Sequence, residues 1–285
     1  MRIGINFAPP HDSPDQWAEI LVEHGFRATS FPVDYRAPVS LIDGYVKAAK
    51  EHDLRIAEVG VWDSPHFPDP ARAKAARERC LEQFRLAEYV QADCCVNVSG
   101  AAGDKWFYCY RENFDPALYQ KNVEFVQCLC DTVNPQHTVY ALEPMQWMLP
   151  WSPQQYQQFL RDVDRKGCGV HMDVWNFVRD PYTYTHQEEL MDQAFSLLGK
   201  SIASCHLKDI VLREGTTVMI QETLLGTGGG KLGCYLDHLS RLPEDTPLLL
   251  EHLDTFQEYN TAMDFLREHF PQYLSPGQGG PGTLT

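Results

Sequence analysis

The sequence lacks clustered cations, long apolar runs and Cys-x-x-Cys pairs. Lys and Arg total 24 against 39 Asp and Glu, which gives a formal charge of −15. No basic cluster is present that could neutralise a phosphate backbone or an anionic lipid surface. The apolar runs have the length of strands, far below the ~20 residues of a membrane span. These absences argue against nucleic-acid binding and against membrane association.

Cysteine usage and glycine spacing exclude further classes. None of the nine cysteines forms a Cys-x-x-Cys pair, which argues against a zinc cluster or a disulfide framework. Reduced, buried thiols in a cytoplasmic protein are the expectation, and residues 1–7 read as a strand rather than a signal peptide. No Gly-x-Gly-x-x-Gly follows this strand, and the glycines at 226–230 lack the Walker spacing, so they predict a turn instead of a nucleotide site.

What is present is a globular composition with repeated short apolar runs. Hydrophobic residues make up 44% of the chain and aromatic residues 12%. Runs of this kind suit strands that are buried on both faces. We predict eight of them, at 3–7, 28–33, 54–59, 94–98, 138–143, 169–173, 202–207 and 247–251.

Helical patterns separate these runs and carry start signals. A capping Ser or Asp precedes proline four times, at 13–14, 69–70, 115–116 and 152–153, and proline fits the first turn of a helix. Strand followed by helix, repeated over this length, predicts an α/β protein with a single (β/α)8 (TIM) barrel. We assign residues 1–274 to the barrel and 275–285 to a Gly/Pro-rich tail that is mobile or loosely docked.

Four polar residues lie at the carboxyl ends of the last four runs: Glu143, Asp173, His206 and Glu251. In a parallel barrel these ends point into one shared cup, where three carboxylates and an imidazole require a cation. Singly, each could instead cap a helix or pair with an Arg, but charged strand ends four times in succession are rare. Hard oxygen ligands with one His suit Mn²⁺, Mg²⁺ or Co²⁺, and Zn²⁺ is compatible.

The motifs around these positions resemble those of the xylose isomerase-like barrel superfamily, from about residue 4 to residue 269. The segments that carry the resemblance are Ala141-Leu142-Glu143-Pro144, His171-Met172-Asp173, Ser204-Cys205-His206-Leu207-Lys208-Asp209, the glycines of 226–230, and Leu249-Leu250-Glu251-His252. The resemblance implies one divalent metal ion, with Mn²⁺ expected, held by Glu143, Asp173, His206 and Glu251. It implies that Glu143 and Glu251 also move protons.

The activity that this resemblance implies is sugar isomerisation or epimerisation. One carboxylate removes a proton next to a carbonyl, an enediolate forms, and the other returns a proton. The expected partner is a small sugar or a related polyhydroxy carbonyl compound. A homo-oligomer is expected by analogy with relatives.

Three positions depart from the ketose 3-epimerase pattern. Asn176 stands where those enzymes have a substrate-binding His, Leu212 where they have an Arg, and Leu149 where they have a Glu. These departures argue against a close match to the ketose 3-epimerases. The alternative activity is that of a lyase of the same barrel, an inosose-type dehydratase or an enzyme that eliminates the aglycone of a 3-oxo-glycoside. A non-catalytic sugar-binding protein would not need two opposed carboxylates, and the charge of −15 opposes a nuclease.

Further candidates follow the predicted strands and would contact substrate at the cup: Lys208, Glu58, Asn97, His66, Trp62, Trp175 and Asn176. Aromatic rings stack against the apolar face of a sugar, although these rings could equally pack as a lid. Alternatives are an Arg partner for Glu58, a structural hydrogen bond for Asn97, and a role for Lys208 in holding Glu143 or Asp173. His171 is expected to support the site or to lie in the core.

Overall fold

Parallel strands close into a barrel in the computed structural model, which describes residues 1–274 and 278. Around the barrel they follow the order β1, β10, β7, β6, β5, β4, β3, β2. Their bounds are β1 Arg2–Ile5, β2 Ala28–Ser30, β3 Arg55–Gly60, β4 Cys94–Asn97, β5 Val139–Leu142, β6 Cys168–Met172, β7 Ile202–Leu207 and β10 Pro247–Leu250. Each of the eight predicted runs overlaps one of these strands, and the (β/α)8 prediction is confirmed.

Helices pack outside the barrel and begin where the capping signals predict. Ser13, Asp69, Asp115 and Ser152 each accept a backbone N–H at a helix start and precede a proline in the first turn. The helices are α1 Pro14–Glu23, α2 Val39–Glu51, α3 Pro70–Tyr89, α4 Pro116–Val133, α5 Pro153–Val163, α6 Pro181–Thr185, α7 Gln187–Leu198, α8 Leu232–Leu239 and α9 Phe256–His269.

The core has two layers because strand side chains alternate between the two faces of the barrel wall. Large side chains such as Trp17, Phe84 and Tyr156 are fully buried in the apolar layer that the helices share with the strands. A separate buried cluster, formed by Cys94, Val96 and Ala141, contains only small side chains. None of the helices in the described residues is long and apolar enough to cross a membrane.

An antiparallel hairpin between β7 and α8 is absent from the sequence prediction. It consists of β8 Asp209–Leu212 and β9 Ile220–Thr223, and its base is fixed by the buried Asp209. The Asp209 carboxylate accepts backbone N–H groups from Ile210, Gly226, Gly228 and Gly230 at 2.8–3.0 Å. The glycines therefore form a turn into α8, as predicted.

Of the predicted tail, only Gln278 belongs to the described residues. Its side-chain amide is buried and donates to the carbonyl of Ile3 at 2.7 Å. The remainder of 275–285 lies outside the described residues. The division at residue 274 therefore stays a prediction.

Replacing Asp209 should destabilise the protein. Asp209→Ala leaves the amides of the glycine turn without their acceptor, and we expect the free energy of unfolding to fall by about 3 kcal/mol. Urea denaturation followed by circular dichroism measures this change. Glu19→Ala, at an exposed acidic residue of α1, is the control and should change it little. A loss of similar size in both variants would contradict the role of Asp209.

Candidate active site

The structure brings Glu143, Asp173, His206 and Glu251 together at the carboxyl end of the barrel. Each is at most 2% exposed, and each offers one ligand atom within 4.8 Å of those of the others. Their positions follow from the strands, since each lies at the end of, or directly after, β5, β6, β7 or β10. A buried group of this composition needs positive charge among its oxygen atoms.

The imidazole of His206 has its two nitrogens in different environments. Its Nε2–H donates to Glu58 Oε1 at 3.2 Å, which assigns the proton to that nitrogen. Its Nδ1 lies 2.8 Å from Glu251 Oε2 and 3.8 Å from Glu143 Oε2. Burial opposes the charged ring, but the charges of Glu251 and Glu58 outweigh it and raise the pKa of His206 well above its ordinary value. A buried ring nitrogen that faces carboxylate oxygens in this way fits a metal ligand, with the cation in place of its proton.

The electrostatics of the carboxylates agree with a cation site. Burial, together with the charge of Glu251, raises the pKa of Glu143 to about 8. Burial also raises the pKa of Asp173 to about 6. Burial acts in the same direction on Glu251, but the charges of His206 and Lys208 outweigh it and hold the pKa of Glu251 well below its ordinary value. A divalent cation among these oxygens would favour their ionised forms.

Lys208 lies inside the same cluster. Its ammonium nitrogen is 2.6 Å from Asp173 Oδ2 and 3.0 Å from Glu251 Oε1. It also donates to Asn176 Oδ1 at 3.1 Å, and the Asn176 amide donates to Glu143 Oε1 at 2.9 Å. Lys208 and Asn176 thus link three of the four candidate ligands, and the alternative that Lys208 holds Asp173 matches this geometry.

Glu58 supports His206 from beneath the cluster. Its Oε1 accepts from Ser30 Oγ at 2.7 Å in addition to His206, and its Oε2 lies 3.5 Å from His171 Nδ1. Burial, with the charge of His206, lowers the pKa of His171 to about 3, so this ring stays neutral. The acceptor role of Glu58 therefore fixes the orientation of His206. The alternative of an Arg partner for Glu58 is not met, because its neighbours in the described structure are Ser30, His171 and His206.

A cavity of about 680 Å³ opens above the cluster at the barrel mouth. Glu58, Glu143, His206 and Glu251 form part of its floor. A neighbouring cavity of about 420 Å³ shares the lining residues Phe107, Met145 and His252 with it. A small molecule in either space would lie beside the candidate metal ligands.

Comparison with known families agrees with the barrel fold. Residues 18–269 match the model of the xylose isomerase-like TIM barrel family. The chain belongs to this family. No functionally curated protein matches the sequence.

Several solved structures share the fold of this xylose isomerase-like barrel. One is a xylose isomerase-like protein from Mycobacterium smegmatis in complex with magnesium, with 19% identity, 98% coverage of both chains and a TM-score of 0.68. D-psicose 3-epimerase from Clostridium cellulolyticum H10, with D-tagatose, has 14% identity, coverage of 94% and 99%, and a TM-score of 0.68. A probable 3-DHS dehydratase from Bacillus anthracis has 16% identity, coverage of 93% and 98%, and a TM-score of 0.67.

Two residues expected at the cup of this xylose isomerase-like barrel lie elsewhere. Asn97 faces the helices, because Val98 takes the inward position, and its side chain bonds to the backbone of Asp63. His66 lines a separate groove between α3 and α4 and contacts Asn122 Oδ1 at 2.9 Å. The segment after β3 leaves the mouth before it reaches His66. Neither Asn97 nor His66 therefore lines either of the two cavities at the mouth.

The remaining candidates lie at the mouth of the barrel. Trp62 lines the larger cavity, whereas Trp175, Asn176 and Lys208 line the smaller one. Trp175 is 1% exposed and packs on Tyr235, with 5.7 Å between the ring centroids. Contact of these residues with a substrate stays a prediction.

Two charged residues at the mouth were not predicted. Glu222, on β9, places Oε1 2.8 Å from Lys208 Nζ and Oε2 2.7 Å from His252 Nδ1. His252 directly follows Glu251 and has a positive φ of 54°, which turns its ring into the mouth. The position of His252 directly after a strand-end glutamate could have identified it from the sequence. The short, polar strand β9 gives no comparable indication for Glu222.

Glu58→Gln should weaken metal binding. The substitution removes the charge that orients His206, and we expect the Mn²⁺ affinity to fall about tenfold to a hundredfold. Isothermal titration calorimetry measures this change. Asp34→Asn is the matched control, because Asp34 lines the same cavity but pairs with Arg36. Equal affinities of the Glu58→Gln variant and the wild type would contradict the supporting role.

Proposed function

We propose that the protein is a divalent-metal-dependent sugar isomerase or epimerase that transfers a proton next to a carbonyl group. The observation that carries the proposal is the buried cluster of three carboxylates and one imidazole at the floor of an open cavity. The fold relatives include a sugar epimerase, which supports the same class of substrate.

Glu143, Asp173, His206 and Glu251 would hold the metal ion in this proposal. The magnesium complex of a fold relative supports a divalent cation. Mn²⁺ is our first choice, while Mg²⁺, Co²⁺ and Zn²⁺ suit the same donors. When bound, such a cation supplies Lewis-acid stabilisation of the negative charge that develops on the substrate oxygen.

The carboxylates that move protons are Glu143 and Glu251. They project from β5 and β10, which β6 and β7 separate in the barrel wall, so a substrate carbon between them has a carboxylate on either side. One carboxylate accepts the proton next to the carbonyl and the other donates a proton to the opposite face, which gives epimerisation. Return of the proton to the adjacent carbon gives isomerisation.

A lyase of the same barrel is the second candidate, and the position of Lys208 favours it. Its ammonium lies beside Asp173 and Glu251, where it could stabilise a departing oxygen. Burial opposes the charged form, but the carboxylates outweigh it and raise the pKa of Lys208 well above its ordinary value. Lys208 therefore serves better as a hydrogen-bond donor than as a proton donor. The dehydratase among the fold relatives supports this alternative.

We also propose that the protein is cytoplasmic and forms a homo-oligomer. Nine unpaired cysteines support a cytoplasmic location. Exposed aromatic residues in the loop after β4, among them Trp106, Phe107 and Tyr108, support a homo-oligomer.

Solvent deuterium incorporation tests the proposed chemistry. The Mn²⁺-loaded protein is incubated in D₂O with ketoses, aldoses, inososes and 3-oxo-glycosides, and the products are followed by NMR and mass spectrometry. Deuterium next to a carbonyl, without other mass change, is the expected result. Loss of water or of an aglycone would favour the lyase, and exchange that is unaffected by chelation would contradict the metal site.

Glu251→Gln should lower the exchange rate by at least about a thousandfold, because it removes a carboxylate that carries the proton. Glu189→Gln, at an exposed position of α7, is the matched control and should retain the wild-type rate. Chelation should abolish exchange, and added Mn²⁺ or Co²⁺ should restore it. Full exchange by the Glu251→Gln variant would exclude the two-carboxylate mechanism.

A further inference from the structure

Trp62 has an unusual backbone conformation at the barrel mouth. Its φ is 55°, in the left-handed region that bulky residues rarely adopt. The indole lies against Gly60, where an added Cβ would be 2.3 Å from Trp62 Nε1. The glycine therefore provides the space in which the ring lies, and the turn directs the ring into the larger cavity.

The backbone on both sides of Trp62 is held in place. On one side, buried Gln83 donates to the carbonyl of Gly60 at 2.7 Å and accepts from the backbone of Tyr35 at 2.9 Å. On the other side, Asn97 accepts from the backbone N–H of Asp63 and donates to its carbonyl, both at 3.1 Å. A strained, restrained residue that stays 36% exposed is typical of a ligand contact.

The larger cavity has an apolar side and a polar floor. Trp62 shares the apolar side with Phe31, Trp106 and Phe107, which come from the segments after β2 and β4. The floor carries the candidate ligands. The cavity volume of about 680 Å³ suits a ligand larger than one sugar ring.

The charges at the mouth disfavour an anionic substrate. Among the described residues that line the two cavities, Lys208 is the single Lys or Arg. Three carboxylates lie within 3.0 Å of its ammonium and offset its charge, so it provides little net attraction for a phosphate group. Asp34 and Glu222 also line the mouth, but they pair with Arg36 and with Lys208 and His252. The described lining residues therefore offer no unpaired Lys or Arg to a phosphorylated sugar.

We propose that the substrate is an uncharged sugar that carries a ring carbonyl and an apolar substituent, such as an aryl 3-oxo-glycoside. The carbonyl makes the neighbouring C–H acidic, and simple aryl glycosides can serve as non-reacting probes of binding. The sugar ring lies near Glu143 and Glu251, and the substituent stacks on Trp62. The position of the sugar ring rests on the proposed function. The substituent site rests separately on Trp62, Gly60 and the restraints around them.

Calorimetry with the Mn²⁺-loaded full chain tests this inference with phenyl β-D-glucoside, methyl β-D-glucoside and glucose 6-phosphate as probes. We expect the phenyl glucoside to bind about tenfold more tightly than the methyl glucoside, because of aromatic stacking. Glucose 6-phosphate should bind most weakly. The inference would be overturned if the two glucosides bind with equal affinity or if the phenyl glucoside does not bind detectably. Tightest binding of glucose 6-phosphate would also overturn it.

Variants of Trp62 test whether the apolar substituent stacks on this ring. Trp62→Ala should reduce the preference for the phenyl glucoside to about onefold, whereas Trp62→Phe, which keeps an aromatic ring, should retain most of it. Trp151→Ala removes a tryptophan from a different cavity and should leave the preference unchanged. A preference that survives Trp62→Ala would overturn the role of Trp62. Since calorimetry reads binding and deuterium incorporation reads proton transfer, the substrate inference and the proposed function can each fail alone.

Discussion

Burial of like charge at one end of the barrel is the constraint on which the site depends. Glu143, Asp173 and Glu251 lose their hydration within 4.8 Å of one another, and Lys208 and His206 compensate only part of that charge. The side chains around this group hold its individual atoms in place. Glu58 holds one nitrogen of His206, Asn176 holds one oxygen of Glu143, and the remaining donor atoms face one another with a metal ion as the natural partner.

Strand position accounts for what could be predicted from the sequence. Parallel strands place their carboxyl ends together, and side chains alternate along each strand, so polar residues that end four successive strands had to converge. Asn97 shows the limit of the same reasoning. It ends β4, but one residue of register separates the inward face from the outward one, and its neighbour Val98 lines the cavity instead.

Loop geometry accounts for what the sequence could not reveal. His66 and Trp62 follow the same strand at close spacing, yet Trp62 enters the mouth and His66 lies between two outer helices. The left-handed turn at Trp62 produces that separation, and no periodicity encodes it. Glu222 reaches the site on β9, whose sequence Ile-Gln-Glu-Thr is too short and too polar to give an apolar pattern.

The hairpin begins at Asp209, and the glycine turn that follows its second strand returns to the same residue. The Asp209 carboxylate accepts backbone N–H groups from both the first strand of the hairpin and this turn. Two residues of the hairpin's second strand, Ile220 and Gln221, line the smaller cavity, and neither belongs to the charged cluster. Changes of sequence at these positions would alter what surrounds a bound molecule without replacing a reacting group. This part of the chain is where related barrels can diverge in substrate while they preserve a common chemistry.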